Sequence, residues 1–221
     1  MEELTFVKDL LQTTSKKLEE LTAQGLFGNE WLLAGKKITG SLLHGRVWAV
    51  LSQSVMPPYY PIIEARFGRS FRPDLCVTDQ SDKIIAIVEY ESVNSSDERI
   101  EGKDLINFGL FSERKELSSV KWWIILSSLP NQRVRGWNWW GWNKDPQYGP
   151  PKKCKKSRDA NPFKYYEDSM HSAFKNTWND LEKKAVNPPY LIWANLSPGS
   201  LKILNINGTK TDPSMELNWP F

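Results

Sequence analysis

Two short segments decide the fold predicted for this chain: Arg72-Pro73-Asp74-Leu75-Cys76-Val77 and, after a short turn, Ile84-Ile85-Ala86-Ile87-Val88-Glu89-Tyr90-Glu91. Both are largely apolar and of strand length, so they predict two neighbouring β-strands. The side chains of residues i and i+2 in a strand point to the same face of a sheet. Glu89 and Glu91 therefore project together, and Asp74 can reach the same position from the adjacent strand.

These carboxylates predict a metal site. Negative charges that share one face repel each other unless a cation joins them, and hard divalent ions such as Mg²⁺ prefer carboxylate oxygens. We therefore expect a magnesium site with Asp74, Glu89 and Glu91 as ligands.

Length and composition predict a globular protein. The chain has 221 residues, of which 40% are hydrophobic and 25% charged, a composition that excludes a disordered polymer. No apolar run approaches the roughly 20 residues that a membrane helix needs. The acidic start Met1-Glu2-Glu3-Leu4 lacks a signal-peptide pattern, so a cytoplasmic protein with no membrane contact is expected. Two cysteines do not make a disulfide framework, and two histidines argue against a histidine-based zinc site.

Hydrophobic periodicity predicts the order of the elements. The predicted helices span residues 2–21, 41–54, 97–116 and 164–184. The predicted strands span residues 60–67, 71–78, 83–90, 120–126, 190–196 and 201–206. Two antiparallel hairpins would place the first three strands side by side. On the helix at 97–116, the predicted apolar face comprises Ile100, Leu105, Ile106, Leu110 and Phe111.

The element order, with Pro73-Asp74 opening one strand and Glu89-Tyr90-Glu91 closing the next, resembles the PD-(D/E)XK nuclease superfamily, which includes type II restriction endonucleases. The resemblance covers residues 60–126, roughly a third of the chain. It implies an α/β fold with a restriction-endonuclease-like core, a mixed central β-sheet flanked by helices in the order helix-strand-strand-strand-helix-strand. A C-terminal α+β extension would follow this core.

The same resemblance assigns roles to single residues. Asp74 and Glu89 would be the metal-binding carboxylates, and Glu64 in the first strand an additional acidic ligand. The third motif position, usually Lys, is Glu91 here. Glu91 either acts as a general base or metal ligand, or it indicates a protein that has lost nuclease activity. A lysine from elsewhere could take the missing role, and Lys103 on the following helix is the candidate. The predicted catalytic residues are thus Asp74, Glu89, Glu91 and Lys103.

The segment 131–164 is strongly basic, although the whole chain has a net charge of only +3. It contains nine basic residues and two acidic ones, together with the run Trp137-Asn138-Trp139-Trp140-Gly141-Trp142. Such a charge excess predicts contact with phosphates, and the tryptophans either stack on bases or cover the core. The residues expected to bind nucleic acid are Arg133, Arg135, Lys144, Lys152, Lys153, Lys155 and Lys156.

The expected function is that of a DNA endonuclease dependent on one or two Mg²⁺ ions, most specifically a type II restriction-type enzyme that acts as a homodimer on double-stranded DNA. Residues 1–130 would form the catalytic core with its N-terminal helices, 131–163 a basic loop region, and 164–221 a helix and strands on the same domain. Two other classes of function are consistent with the same residues. One is a catalytically inactive nuclease-fold protein that binds nucleic acid or regulates, and the other is a metal-dependent phosphoesterase acting on small substrates.

Overall fold

The structure is a computed structural model that describes residues 4–24, 40–63, 65–68, 71–92, 104–111, 114–128, 162–183, 187–197 and 200–211. In these residues the chain is mixed α/β, with a seven-stranded mixed sheet flanked by helices. This confirms the predicted fold class at the level of a mixed sheet between helices. None of the helices in the described ranges is both long and apolar enough to cross a membrane.

The elements follow the predicted order along the chain. The helices are α1 Thr5–Ala23, α2 Gly40–Ser54, α3 Leu105–Phe111 and α4 Pro162–Glu182. The strands are β1 Tyr60–Ile63, β2 Leu75–Thr78, β3 Ile84–Ser92, β4 Trp122–Ser128, β5 Tyr190–Ser197, β6 Ser200–Ile206 and β7 Thr209–Lys210. The short strand β7 was not predicted. It continues the sheet after a turn in which Asn207 and Gly208 adopt positive φ.

The strands lie in the sheet in sequence order, from β1 to β7. Strands β1, β2 and β3 are antiparallel neighbours, which confirms the two predicted hairpins. Strands β3, β4 and β5 are parallel, and α3 and α4 lie in the connections between them. The carboxyl ends of these three strands therefore meet at one edge of the sheet, the edge where open α/β sheets usually bind ligands.

Two apolar layers cover the sheet, because side chains alternate between its faces. On one face, β-strand residues such as Val88 and Ile124 pack with Val7 of α1 and Leu51 of α2. The opposite face packs against α3 and α4. Its core includes Cys76, Ile87, Trp123, Phe108 and Phe174. Cys76 is fully buried with a free thiol.

The helix predicted at 97–116 differs from the structure in the face that it buries. Helix α3 spans Leu105–Phe111, and Leu105 and Phe108 are buried among those of its residues whose side chains are described. Ile106 and Leu110, which the periodicity assigned to the apolar face, are 50% and 65% exposed. A helix advances about 100° per residue, so once Leu105 and Phe108 occupy the seam, Ile106 turns away from it.

Candidate functional site

The structure brings Asp74 and Glu89 together at the junction of β2 and β3. The register of these antiparallel strands pairs Leu75 with Val88 and Cys76 with Ile87. Continued by one residue, the same register places Asp74, which directly precedes β2, opposite Glu89. Glu89 lies near the carboxyl end of β3, so the two acids sit at the edge of the sheet where the parallel strands β3, β4 and β5 end.

Main-chain hydrogen bonds hold both carboxylates in place. The N–H of Asp74 donates to Glu89 Oε2 at 3.3 Å, and the N–H of Tyr90 donates to Asp74 Oδ2 at 2.8 Å. Each acid thus accepts an N–H from the strand opposite its own. Bonds of this kind orient metal-ligating carboxylates in known sites.

A third contact ties Asp74 to helix α2. The indole N–H of Trp48 donates to the main-chain oxygen of Asp74. The N–H, the carbonyl and the carboxylate of Asp74 are therefore held by Glu89, Trp48 and Tyr90 respectively. No spacing in the sequence signals a side-chain contact between Trp48 and Asp74, which lie 26 positions apart.

Burial and the closeness of the two carboxyl groups dominate the local electrostatics. The Glu89 side chain is only 3% exposed, and a buried carboxylate is costly unless it is paired or neutralised. Acids that face each other directly across two strands also destabilise a sheet. Burial, and then the negative charge of Glu89, raise the pKa of the neighbouring Cys76 thiol to about 12.

The chemistry of this pair suits a hard divalent cation. Mg²⁺ is usually bound through one or two carboxylates, with water and substrate phosphates completing its octahedron. Asp74 and Glu89 supply oxygen donors of that kind in a fixed arrangement. Among the residues with described side chains, no group of three or more His, Cys, Asp or Glu could hold a metal ion.

Glu91 is described only in its main chain. It belongs to β3 and pairs with Ser127 of β4 across the parallel ladder, while its side chain lies outside the described part of the chain. The prediction that Glu91 is a ligand or base therefore stays a prediction.

The remaining predicted site residues lie outside the described ranges. They are Glu64, Lys103, Arg133, Arg135, Lys144, Lys152, Lys153, Lys155 and Lys156. Their assignments as an additional ligand, a replacement lysine and a phosphate-contacting surface stay predictions.

Sequence reasoning missed a polar group at the same edge of the sheet. Ser127 of β4 and Asn195 of β5 are paired in register and are 2% and 7% exposed. The indole N–H of Trp193 donates to Ser127 Oγ at 3.0 Å, and Lys202 of β6 pairs with Asn195. A hydrophilic residue that ends an apolar strand was the available signal, and it appears at both Ser127 and Asn195.

Asp104 is a second acid that sequence reasoning missed. It lies directly before α3 and is fully buried, on the side of the sheet that carries Cys76 and Ile87, since Leu105 and Phe108 pack there. In the sequence it is adjacent to Lys103, the predicted catalytic lysine.

Comparisons of the chain with protein-family models, with curated proteins and with solved structures gave no match. The function is therefore inferred from the residues and their geometry.

Proposed function

We propose that the protein is a Mg²⁺-dependent DNA endonuclease with a restriction-endonuclease-like core, most specifically a type II restriction-type enzyme. One observation carries this proposal: Asp74 and Glu89 face each other across β2 and β3, each oriented by a main-chain N–H of the opposite strand. The antiparallel strands β1 to β3, followed by α3 and the parallel strand β4, support the proposal, because the resemblance implies strands, a helix and a strand in that order.

Phosphodiester hydrolysis explains why acids stand at this position. The reaction needs a water with a lowered pKa and stabilisation of the charge that develops on the phosphate, and one or two bound divalent ions supply both. Asp74 and Glu89 would hold the metal. Their hydrogen bonds to Tyr90 and Asp74 main-chain N–H groups fix the carboxylates before substrate arrives, which lowers the reorganisation needed during the reaction.

Glu91 and Lys103 complete the proposed chemistry. In place of the usual motif lysine, the Glu91 carboxylate would act as general base or further ligand, and Lys103 would orient the attacking water. Glu64 would be an additional acidic ligand.

The proposed substrate is double-stranded DNA, bound by a homodimer. The basic segment 131–164 supports a polymeric anion over a small phosphoester, because its nine basic residues can contact several phosphates at once. Two symmetry-related sites would cut the two strands of a palindromic target.

A supercoiled plasmid tests the proposal. We expect the purified protein to nick or linearise it in Mg²⁺ and to leave it intact in EDTA. Asp74→Asn and Glu89→Gln remove a charge while preserving size, so each should reduce the cleavage rate at least about 100-fold. Asp82→Asn is the matched control: this exposed acid lies in the turn at the opposite end of β3 with φ 58°, where Asn is well tolerated.

The outcomes separate the alternatives. Discrete fragments indicate site-specific restriction, and a smear indicates non-specific cleavage. The replacement of the motif lysine by Glu91 favours one competing function, an inactive nuclease-fold binding protein. DNA binding without Mg²⁺-dependent cleavage by the wild type would establish that function instead. Hydrolysis of bis(p-nitrophenyl) phosphate with no plasmid cleavage would indicate a small-substrate phosphoesterase.

A further inference from the structure

Strand β1 forms one edge of the sheet and is exposed over its whole length. It pairs with β2 on one side, and in the described part of the chain no strand pairs with its outer side. Tyr60, Ile62 and Ile63 are 52%, 41% and 46% exposed. Because successive side chains of a strand point to opposite faces of a sheet, the exposure of both isoleucines shows that neither apolar layer buries this strand.

The two edges of the sheet differ in how they are protected from pairing. Sheet edges are commonly protected by very short strands and by charged residues, above all lysine. At the far edge, β7 has only two residues, and one of them is Lys210. Strand β1 has the sequence Tyr60-Pro61-Ile62-Ile63 and carries no charge. An exposed, uncharged and apolar edge of this kind is a template for another strand.

Pro61 restricts how another strand can pair with β1. The hydroxyl of Thr78 in β2 donates to the main-chain oxygen of Tyr60 at 3.5 Å, so the main-chain groups of Tyr60 and Ile62 face β2. Alternate residues of an antiparallel strand direct these groups to opposite sides, and those of Pro61 and Ile63 therefore face outward. Because proline has no N–H, the outer side offers two carbonyl oxygens and a single donor, the N–H of Ile63.

A second copy of β1 matches these groups in one antiparallel register. With the two Ile62 residues opposite each other on a two-fold axis, the N–H of each Ile63 faces the Pro61 oxygen of the other copy. The two Ile62 side chains then form a β-branched cross-strand pair, which stabilises a sheet. Because β1 is uncharged, identical copies meet without the like-charge contacts that destabilise paired strands.

The exposed apolar area around β1 is sufficient for a weak dimer. Met56, in the turn before β1, is exposed together with Tyr60, Ile62 and Ile63. Side chains of this size that are about half exposed leave on the order of 400 Å² in solvent per copy. With the strand backbones included, two copies would bury on the order of 1,000 Å², which is the low end for a specific interface and typical of transient ones.

We propose that the protein forms a two-fold symmetric homodimer in which β1 of one copy pairs antiparallel with β1 of the other, with Ile62 on the axis. The dimer rests on the edge strand alone, whereas its use in cutting both strands of DNA rests on the proposed function. The axis is perpendicular to the sheet, so the acid pairs of the two copies lie on the same face of one continuous sheet. From the usual strand spacing and rise, the two Asp74 residues are roughly 20 Å apart.

Cysteine cross-linking tests the register. The Cα atoms of an antiparallel pair that is not hydrogen-bonded lie about 4.5 Å apart, within the range of a disulfide. We therefore expect Ile62→Cys, in a Cys154→Ser background, to form a covalent dimer on a non-reducing gel when the two thiols are oxidised with diamide.

Tyr60→Cys is the matched control, because it lies on the same face of the same strand but two residues from the axis. Its two copies would be separated by roughly 13 Å, too far for a disulfide, so this variant should stay monomeric on the gel. Equal cross-linking of the two variants, or no cross-linking of Ile62→Cys, would contradict the register.

Sedimentation velocity of the full chain, without DNA or Mg²⁺, measures the dimer directly. Because an interface of this size is weak, the wild type should be mostly monomer at about 1 μM and mostly dimer at about 100 μM. Ile62→Lys places like charges on the axis and should be monomeric throughout. Leu110→Lys makes the same kind of exchange at a 65% exposed position on α3 and should dimerise as the wild type does.

Two results would refute the β1 dimer: a wild type that stays monomeric at every concentration, or a dimer that is lost in Leu110→Lys and kept in Ile62→Lys. The outcome is separable from the nuclease proposal. Plasmid cleavage by a monomeric wild type supports the endonuclease and refutes the β1 dimer. A dimer that Ile62→Lys dissociates, from a protein that never cuts plasmid in Mg²⁺, supports the interface and refutes the endonuclease.

Discussion

At the scale of single residues, Asp74 and Glu89 were predictable because a hairpin obeys short-range rules. Two apolar segments joined by a short turn must be antiparallel neighbours, and the period of two then fixes which side chains meet. Trp48, Ser127 and Asn195 were not predictable in the same way. Their contacts depend on how α2 and the crossover strands β4 and β5 dock, and sequence spacing carries no information about those distances.

The pKa of the Cys76 thiol depends on its burial next to Glu89 of the acid pair. Because burial and Glu89 raise the pKa of its thiol to about 12, the folded protein keeps this proton through neutral and mildly alkaline pH. The contribution of this shift to the free energy of unfolding is present below about pH 9. It is lost as the pH rises towards 12, because the unfolded chain releases the thiol proton more readily than the folded chain does.

We therefore expect iodoacetamide to leave Cys76 unmodified in the native protein at pH 8 and at pH 9.5, and to label it fully in urea. Peptide mapping by mass spectrometry distinguishes Cys76 from Cys154. Native labelling of Cys76 at the rate of an exposed thiol would show that the residue is not enclosed beside Glu89.

At the scale of elements, prediction succeeded where the apolar pattern of the sequence allows one arrangement, and was wrong where the pattern allows two. The strands at 71–78 and 83–90 form the predicted hairpin partners as β2 and β3. The helix around 105–111 contains apolar residues on more than one side, so its sequence does not specify which of them face the sheet. In the structure Leu105 and Phe108 are buried, and Ile106 and Leu110 are exposed.

The contact between α2 and the start of β2 gives a prediction about positioning. Trp48→Phe keeps an aromatic ring but removes the N–H that donates to the Asp74 carbonyl. A typical hydrogen bond contributes about 1 kcal/mol to the free energy of unfolding, so we expect a loss of that order. Because Asp74 then moves more freely, hydrogen exchange of the Tyr90 amide, whose N–H donates to Asp74 Oδ2, should accelerate severalfold.

Trp178→Phe is the control, since Trp178 is partly buried against the opposite layer. An unchanged exchange rate for Tyr90 in Trp48→Phe, measured by NMR, would show that the indole does not position Asp74.

At the scale of the whole molecule, the C-terminal strands are where the structure differs most from the prediction. The sequence predicts two strands there as part of an extension after a core, whereas β5 and β6, together with the unpredicted β7, complete the same sheet beside β4. Long connections between parallel strands leave strand order open, so no local pattern could place β5 next to β4. The consequence for function is the shared carboxyl edge, where Ser127 and Asn195 extend the polar region that begins at Glu89.

The proposed nuclease site needs a divalent cation held between Asp74 and Glu89, and Mn²⁺ binding followed by electron paramagnetic resonance measures this without any substrate. We expect the wild type and Asp82→Asn to bind Mn²⁺ equally, with one or two ions per chain that Mg²⁺ displaces. Asp74→Asn and Glu89→Gln should each weaken binding at least about tenfold. Wild-type Mn²⁺ affinity in both variants, or no Mn²⁺ binding by the wild type, would contradict the proposed metal site at Asp74 and Glu89.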